Sequence, residues 1–158
     1  MADEDQRVAH FASLVDLAAA AGREVAVGRW LTLNQPRIDG FADVTGDHQW
    51  IHVDVERART SPFGGTIAHG FLVISAAAAS MLDVVTVDGA GMAVIYGLNR
   101  VRFISPVRAG CRVRARITLD QWSPRAEGGQ ASWAVTVECE GSERPAVVFD
   151  LIVNYLPG

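Results

Sequence analysis

The sequence predicts an α+β domain in which an antiparallel sheet encloses one apolar helix, and three observations carry that prediction. Residues 68–84 are apolar or small on every side, which for a helix means burial all round. Beyond Asp88-Gly89, four β-rich runs over 92–103, 111–122, 130–140 and 145–155 are divided by Ser105-Pro106, by Ser123-Pro124 to Gly129, and by Gly141-Ser142. In the second run Val113, Ala115, Ile117 and Leu119 alternate with Arg112, Arg114 and Arg116, the pattern of a half-buried antiparallel strand. A helix without a polar face and a sheet with one solvated face are both satisfied when the sheet wraps the helix.

Taken in order, Val8, Phe11, Leu14, Val15, Leu17 and Ala18 recur at helical spacing before Gly22. They predict an amphipathic helix over 7–21, a packing extension spanning residues 1–22. Residues 24–33 alternate loosely, with Val25, Val27 and Leu31 apolar, and predict a short strand. Asn34 suits a helix cap and Pro36 a first turn, while Ile38, Phe41 and Val44 supply an apolar stripe and Gly46 a stop. Asp47 therefore falls just past a helix end. Asp54 caps a brief helical turn, and Ser61-Pro62-Phe63-Gly64-Gly65 must be a turn-rich loop. The helix that follows leaves the first N–H groups near Ala68-His69-Gly70 unpaired and pointing towards a polar cluster.

The bounds are narrow. With 158 residues, 49% of them hydrophobic and 20% charged, the chain buries one core, so residues 1–158 are read as one domain. A net charge of -4 gives no pull towards nucleic acid or an anionic membrane. The apolar run after Gly70 lasts about a dozen residues, short of the roughly 20 that span a bilayer. Cys111 and Cys139 fit neither a zinc motif nor a disulfide framework, and the acidic N-terminus is unlike a secretory signal, so a reducing cytoplasm is expected. All 14 basic residues are Arg, with no Lys; this reads as coding bias.

The polar cluster is the stretch from Phe41 to His69, which holds three of the four histidines. Phe41-Ala42-x-x-Thr45-Gly46-Asp47 with Ile51-His52-x-Asp54, then Ser61-Pro62-Phe63-Gly64 and Ile67-Ala68-His69-Gly70, resembles the signature of MaoC-like (R)-specific enoyl-CoA hydratases, in the branch that includes nodulation protein N-like sequences. Tyr96-Gly97-Leu98-Asn99-Arg100-Val101-Arg102-Phe103 and Pro106-Val107-x-x-Gly110 extend the likeness over most of the chain from about residue 24. The resemblance implies a hot-dog fold, in which a sheet wraps a long central helix, usually as a homodimer. It also implies reversible hydration of trans-2-enoyl-CoA to (R)-3-hydroxyacyl-CoA, with no metal and no cofactor beyond the coenzyme A that the substrate carries.

The family's catalytic Asp and His, five positions apart, fall on Asp47 and His52. Water is a poor nucleophile and the β-carbon of an enoyl thioester a weak electrophile, so a carboxylate and an imidazole sharing one water must orient it and move its protons. The thioester oxygen gains charge in the transition state and needs fixed donors, a role the resemblance gives to the Gly70 backbone N–H, in the field of a helix N-terminus. By spacing alone, an Asp-x4-His pair is more often a cap and a solvated side chain. Asp54 reads as a cap, and His69 as a backbone hydrogen bond at the loop–helix junction. His48 and His52 have the spacing of a helical metal pair, but Gly46, Ile51 and Val53 argue against helix there.

Two departures from the family pattern stand out. Gln49-Trp50 replaces the Asn-Pro that many members carry between the Asp and the His. Ala78 falls where some members have a serine supporting the catalytic Asp, with Ser75 one turn earlier as a candidate substitute. Among the arginines, Arg100 and Arg102 are candidates for the coenzyme A phosphates, while a solvated sheet face accounts for most of the others. Two further readings of the fold remain: a hot-dog thioesterase, and a non-catalytic acyl-CoA-binding protein.

Overall fold

Alternation builds the sheet, and the sheet builds the core. The computed structural model describes residues 6–158. Its four long strands are β5 (Ala90–Phe103), β6 (Arg112–Pro124), β7 (Gly129–Cys139) and β8 (Val147–Pro157), with β2 (Arg23–Val27) and β3 (Leu31–Thr32) both lying on β6. The order β2-β6-β7-β8-β5 is antiparallel throughout, with β3 also on β6. On β6, Val113, Ala115, Ile117 and Leu119 are at most 3% exposed. Arg112, Arg114 and Arg116 on the other face bond Glu140, Glu138 and Glu24, so the alternation predicted for this strand holds. The solvated face is an ion-pair ladder rather than bare arginines.

The helix α5 (Gly70–Val84) packs on the apolar face of this sheet, meeting the expectation of a wrapped helix and a hot-dog architecture. Val73, Ile74, Ala77, Met81 and Val84 are buried. Burial all round, however, is not what forms. Phe71 is 66% and Leu82 73% exposed, with Ser75 and Ala79 exposed between them. One sheet covers only one side of a helix, so the opposite stripe is left bare at i, i+4 and i, i+3 spacing.

The N-terminal helix expected over 7–21 is also corrected; residues 1–5 lie outside the described residues. Ser13 caps a shorter helix α1 (Leu14–Ala19) by accepting from the Asp16 N–H at 3.1 Å. The residues before it form β1 (Ala9–Phe11), parallel to β4 (Val85–Val87). Pairing with β4 gives these backbone groups partners that a frayed helix start would lack. The strand expected over 24–33 is interrupted between β2 and β3, where Arg29 turns to Asp83 at the end of α5 at 3.1 Å.

The helix α2 (Gln35–Thr45) has the predicted ends. The Asn34 side chain accepts from the Arg37 N–H, Pro36 lies in the first turn, and Gly46 closes the helix at φ 78°. Its buried stripe is Ile38 and Ala42 rather than Ile38, Phe41 and Val44, since Val44 is exposed. Two single-turn helices follow, α3 (Trp50–Val53) and α4 (Val55–Ala58). The latter is capped by Asp54 as expected, the carboxylate accepting from the Arg57 N–H at 3.0 Å. The former was not expected, because β-branched Ile51 and Val53 disfavour helix; tertiary hydrogen bonds impose it.

Candidate functional site

Three segments meet at the start of α5. The turn after α2 brings Asp47, α3 brings His52, and the end of the loop before α5 brings His69, with Gly70 opening α5 itself. The loop is fixed on both flanks, because the Ile67 N–H bonds the Ile51 carbonyl at 3.0 Å and the Ala68 N–H bonds the Val107 carbonyl at 2.7 Å. Gln35 at the head of α2 adds a third tie. Its side-chain amide donates to the His52 carbonyl at 2.8 Å and to Asp39 at 2.7 Å, and its oxygen accepts from buried Thr66 at 2.6 Å. No motif pointed to Gln35.

His52 is buried, and its Nδ1 lies 2.7 Å from the Ile67 carbonyl. A carbonyl only accepts, so Nδ1 carries the hydrogen and Nε2 keeps the lone pair a base requires. The Asp47 side chain is 54% exposed, with its loop shaped by a 3.4 Å bond from the Gln49 N–H to its own carboxylate. A ring nitrogen of each of His52 and His69 and a carboxylate oxygen of Asp47 all lie within 4.8 Å of one another. The His69 Nε2 is 3.9 Å from a carboxylate oxygen of Asp47, and two hydrogen bonds of roughly 2.8 Å meeting at a tetrahedral water span roughly 4.6 Å, a span inside the 4.8 Å limit on this cluster.

His69 makes the backbone bond expected of it, donating from Nε2 to the Asp47 carbonyl at 2.9 Å. Its ring also stacks on His52, centroids 3.8 Å apart and planes 24° apart. With the rings stacked, an ion in the plane of one would lie out of the plane of the other, whereas imidazole binds metals through an in-plane lone pair. His48 is turned away to Asp43, 3.4 Å from its carboxylate. Trp50, in the place of the family's proline, opens α3 and lies under the Arg57 guanidinium at 4.2 Å.

His52 and Gly70 line one largely apolar cavity of about 390 Å³, walled by Phe63, Val73, Phe103 and Val107. Gly70 allows the Phe103 ring a close approach: a Cβ there would lie 2.4 Å from it, so a larger residue would have to push that half-exposed ring aside. The His69 side chain does not cap α5, so it leaves the helix N-terminus to other acceptors.

Ser75 is not brought to this cluster. It lines a second, apolar cavity of about 600 Å³ with Ala78, Ala79 and Leu98, and among the described residues it makes no hydrogen bond to Asp47. The reason is helical rise: Asp47 is tied to α5 at His69, and Ser75 lies six residues on, roughly 9 Å along the axis. Of Ala76 to Ala79, Ala78 and Ala79 line the roomy cavity, while Ala77 is buried against the core. Neither Arg100 nor Arg102 lines the His52 cavity. Arg100, at φ 51°, is committed to Asp150 by two bonds of 2.6 and 3.0 Å. Arg102 donates to the Val101 carbonyl and has no carboxylate partner among the described residues.

A family model described as a MaoC like domain matches residues 16–139. The Mycobacterium tuberculosis protein named 3-hydroxyacyl-thioester dehydratase Z is 49% identical over 147 residues, 92% of this chain and 97% of that protein. Nodulation protein N of Rhizobium leguminosarum bv. viciae is 45% identical over 146 residues, covering 90% of this chain and 91% of its own. The unliganded R-hydratase PhaJ1 from Pseudomonas aeruginosa superposes with a TM-score of 0.76 at 21% identity, over 97% of this chain and 88% of that one, a likeness of fold.

Proposed function

Because the chain belongs to the MaoC-like dehydratase domain family, we propose that it is an (R)-specific 2-enoyl-CoA hydratase that interconverts trans-2-enoyl-CoA and (R)-3-hydroxyacyl-CoA. The observation that supports this reading is that His52 and Gly70 line one apolar cavity, with a carboxylate oxygen of Asp47, which does not line it, within 4.8 Å of a ring nitrogen of His52 and of His69. In the proposed reaction the acyl chain enters the cavity and a water is held between Asp47 and the His52 Nε2. As the water oxygen bonds to Cβ, its proton passes to the dyad and a proton from the dyad reaches Cα. Hydroxyl and hydrogen thus add to one face, and the dyad ends as it began. The enolate-like oxygen is met by the Gly70 N–H at the positive end of α5.

No cofactor is needed beyond the coenzyme A of the substrate. Its phosphates are assigned to Arg102, since Arg100 already holds Asp150. A reducing cytoplasm is the proposed location, and a homodimer is the proposed working unit.

The test is a hydration assay on a short and a medium enoyl-CoA with chiral analysis of the product, run beside Asp47→Asn and His52→Gln. Each substitution is expected to lower kcat by at least about 100-fold while the variant remains folded. Wild-type rates in both folded variants would remove the dyad from the mechanism. Release of free coenzyme A would replace the reading with a thioesterase, and tight binding without turnover with a binding protein.

A further inference from the structure

His69 occupies a position where ordinary structural needs would be met by other residues. A helix cap is better served by Ser, Thr, Asp or Asn, and the His69 side chain does not cap α5. Apolar filling is better served by a residue without polar atoms, since a buried polar atom needs a partner; yet His69 is 3% exposed and its Nδ1 has no hydrogen-bond partner among the described residues. What the imidazole does instead is join the two halves of the dyad. Its Nε2–H reaches the main-chain carbonyl of Asp47, 22 residues away in the chain. Its face lies on the ring of His52. Phe41 closes against it, ring centroids 5.0 Å apart, so the His69 ring is held between α2 and α3.

We infer that His69 is a positioning residue for the Asp47–His52 pair, tethering the Asp47 main chain through Nε2 and setting the plane of the His52 ring by stacking. The other two bonds of Asp47 itself are 3.4 Å long, from its N–H to the Thr45 hydroxyl and from the Gln49 N–H to its carboxylate, too long to fix a carboxylate closely, and the shorter backbone bonds of Gly46 and His48 stay within the α2 end. The His69 bond at 2.9 Å is the tie from that loop to the element carrying Gly70. On the other side, the Ile67 carbonyl holds the Nδ1 edge of His52, and the stacked His69 ring lies against its face. One buried side chain therefore sets the separation of carboxylate and base. The kinetic consequence rests on the hydratase reading; the geometric one does not.

The experiment uses His69→Ala, His69→Phe and His69→Gln in the full chain. Phe keeps a ring face and loses the donor, while the Gln amide nitrogen reaches the place of Nε2 and keeps it. Because displacements of about 1 Å at a catalytic group lower rates about 100-fold, kcat on enoyl-CoA is expected to fall by that order in Ala and Phe, with KM within about threefold. Gln is expected to recover at least roughly tenfold over Ala. Wild-type kcat in folded His69→Phe, or a His69→Gln variant no better than Ala, would overturn the tether. Should the variants not fold, long-range 1H–15N spectra of the wild-type histidine rings decide: His69 fixed as the Nε2–H form and His52 as the Nδ1–H form supports the inference, and averaged signals for either ring overturn it. A wild type that hydrates no enoyl thioester would sink the functional reading alone, since the ring spectra still report the positioning.

Discussion

Gln35 carries no charge and belongs to no motif, yet its amide holds the carbonyl of His52, the carboxylate of Asp39 and the hydroxyl of Thr66. Replacing it with Leu keeps the bulk and removes all three bonds, leaving Thr66, 4% exposed, without its acceptor. The expected loss is about 1–3 kcal/mol, read as a lower urea midpoint, together with a drop in kcat as α3 loosens. The same scale shows what the sequence could reveal. Asp47, His52 and Gly70 could be proposed from the sequence because their order and spacing form a signature, and folding brings all three to the start of α5. Gln35 and the second role of His69 were not, because each acts on a residue 17 to 31 positions away, a proximity created only by folding. Tyr155 on β8 is a third case, where burial pushes the phenol up from 10.0 to about 12. A raised folded value means the unfolded chain ionises first, so this stability is whole below pH 10 and is lost as pH rises towards 12. Cys139, also pushed up, to about 11, by burial and by Cys111 beside it, acts in the same direction. Tyr155→Phe should flatten the fall in unfolding free energy between pH 10 and 12 by about 2–3 kcal/mol; an unchanged slope would show that the phenol ionises as freely in the folded chain.

At the scale of elements, α2 is the delivery arm of the site, and its two ends set where Asp47 emerges. Gly46 takes φ 78° with its N–H on the Ala42 carbonyl, a left-handed closure that costs any residue with a Cβ about 1–2 kcal/mol. No neighbouring atom lies within 4 Å of a Cβ built there, so Gly46→Ala tests conformation alone. It should lower stability by about 1 kcal/mol and move the Asp47 loop, lowering kcat more than it raises KM. A variant as stable and as active as wild type would show that the loop finds its path without the left-handed residue. Caps and turns of this kind were readable in advance because Asn34, Pro36 and Gly46 act on their own backbone. The single turn α3 was not, since local preference pointed the other way. Its helical form depends on Ile67 bonding Ile51 and on Gln35 bonding His52, partners from other elements.

At the scale of the molecule, the unburied side of α5 asks for a partner that the chain does not supply. Phe71 and Leu82 on the helix face the same way as the apolar cavity of about 600 Å³ that also takes in Met92 and Ile95 of β5. Tyr96, next along β5, is 71% exposed. A soluble monomer seldom exposes so continuous an apolar surface. β5 is also the last strand of its sheet, pairing with β8 on one side only among the described residues, and an unpaired edge is a template for another strand. A second copy related by a two-fold axis meets both demands at once, laying β5 against β5 and α5 beside α5. The sequence displayed the apolar helix but not this division of its faces, because a run in which both faces are apolar or small gives periodicity little to report. Light scattering on the purified protein should therefore give twice the 17.0 kDa chain mass. Leu82→Asp combined with Tyr96→Glu should halve it, since each charge would be buried at the shared surface without a counter-ion. A wild type that elutes and scatters as a monomer would leave the apolar stripe of α5 to some other occupant.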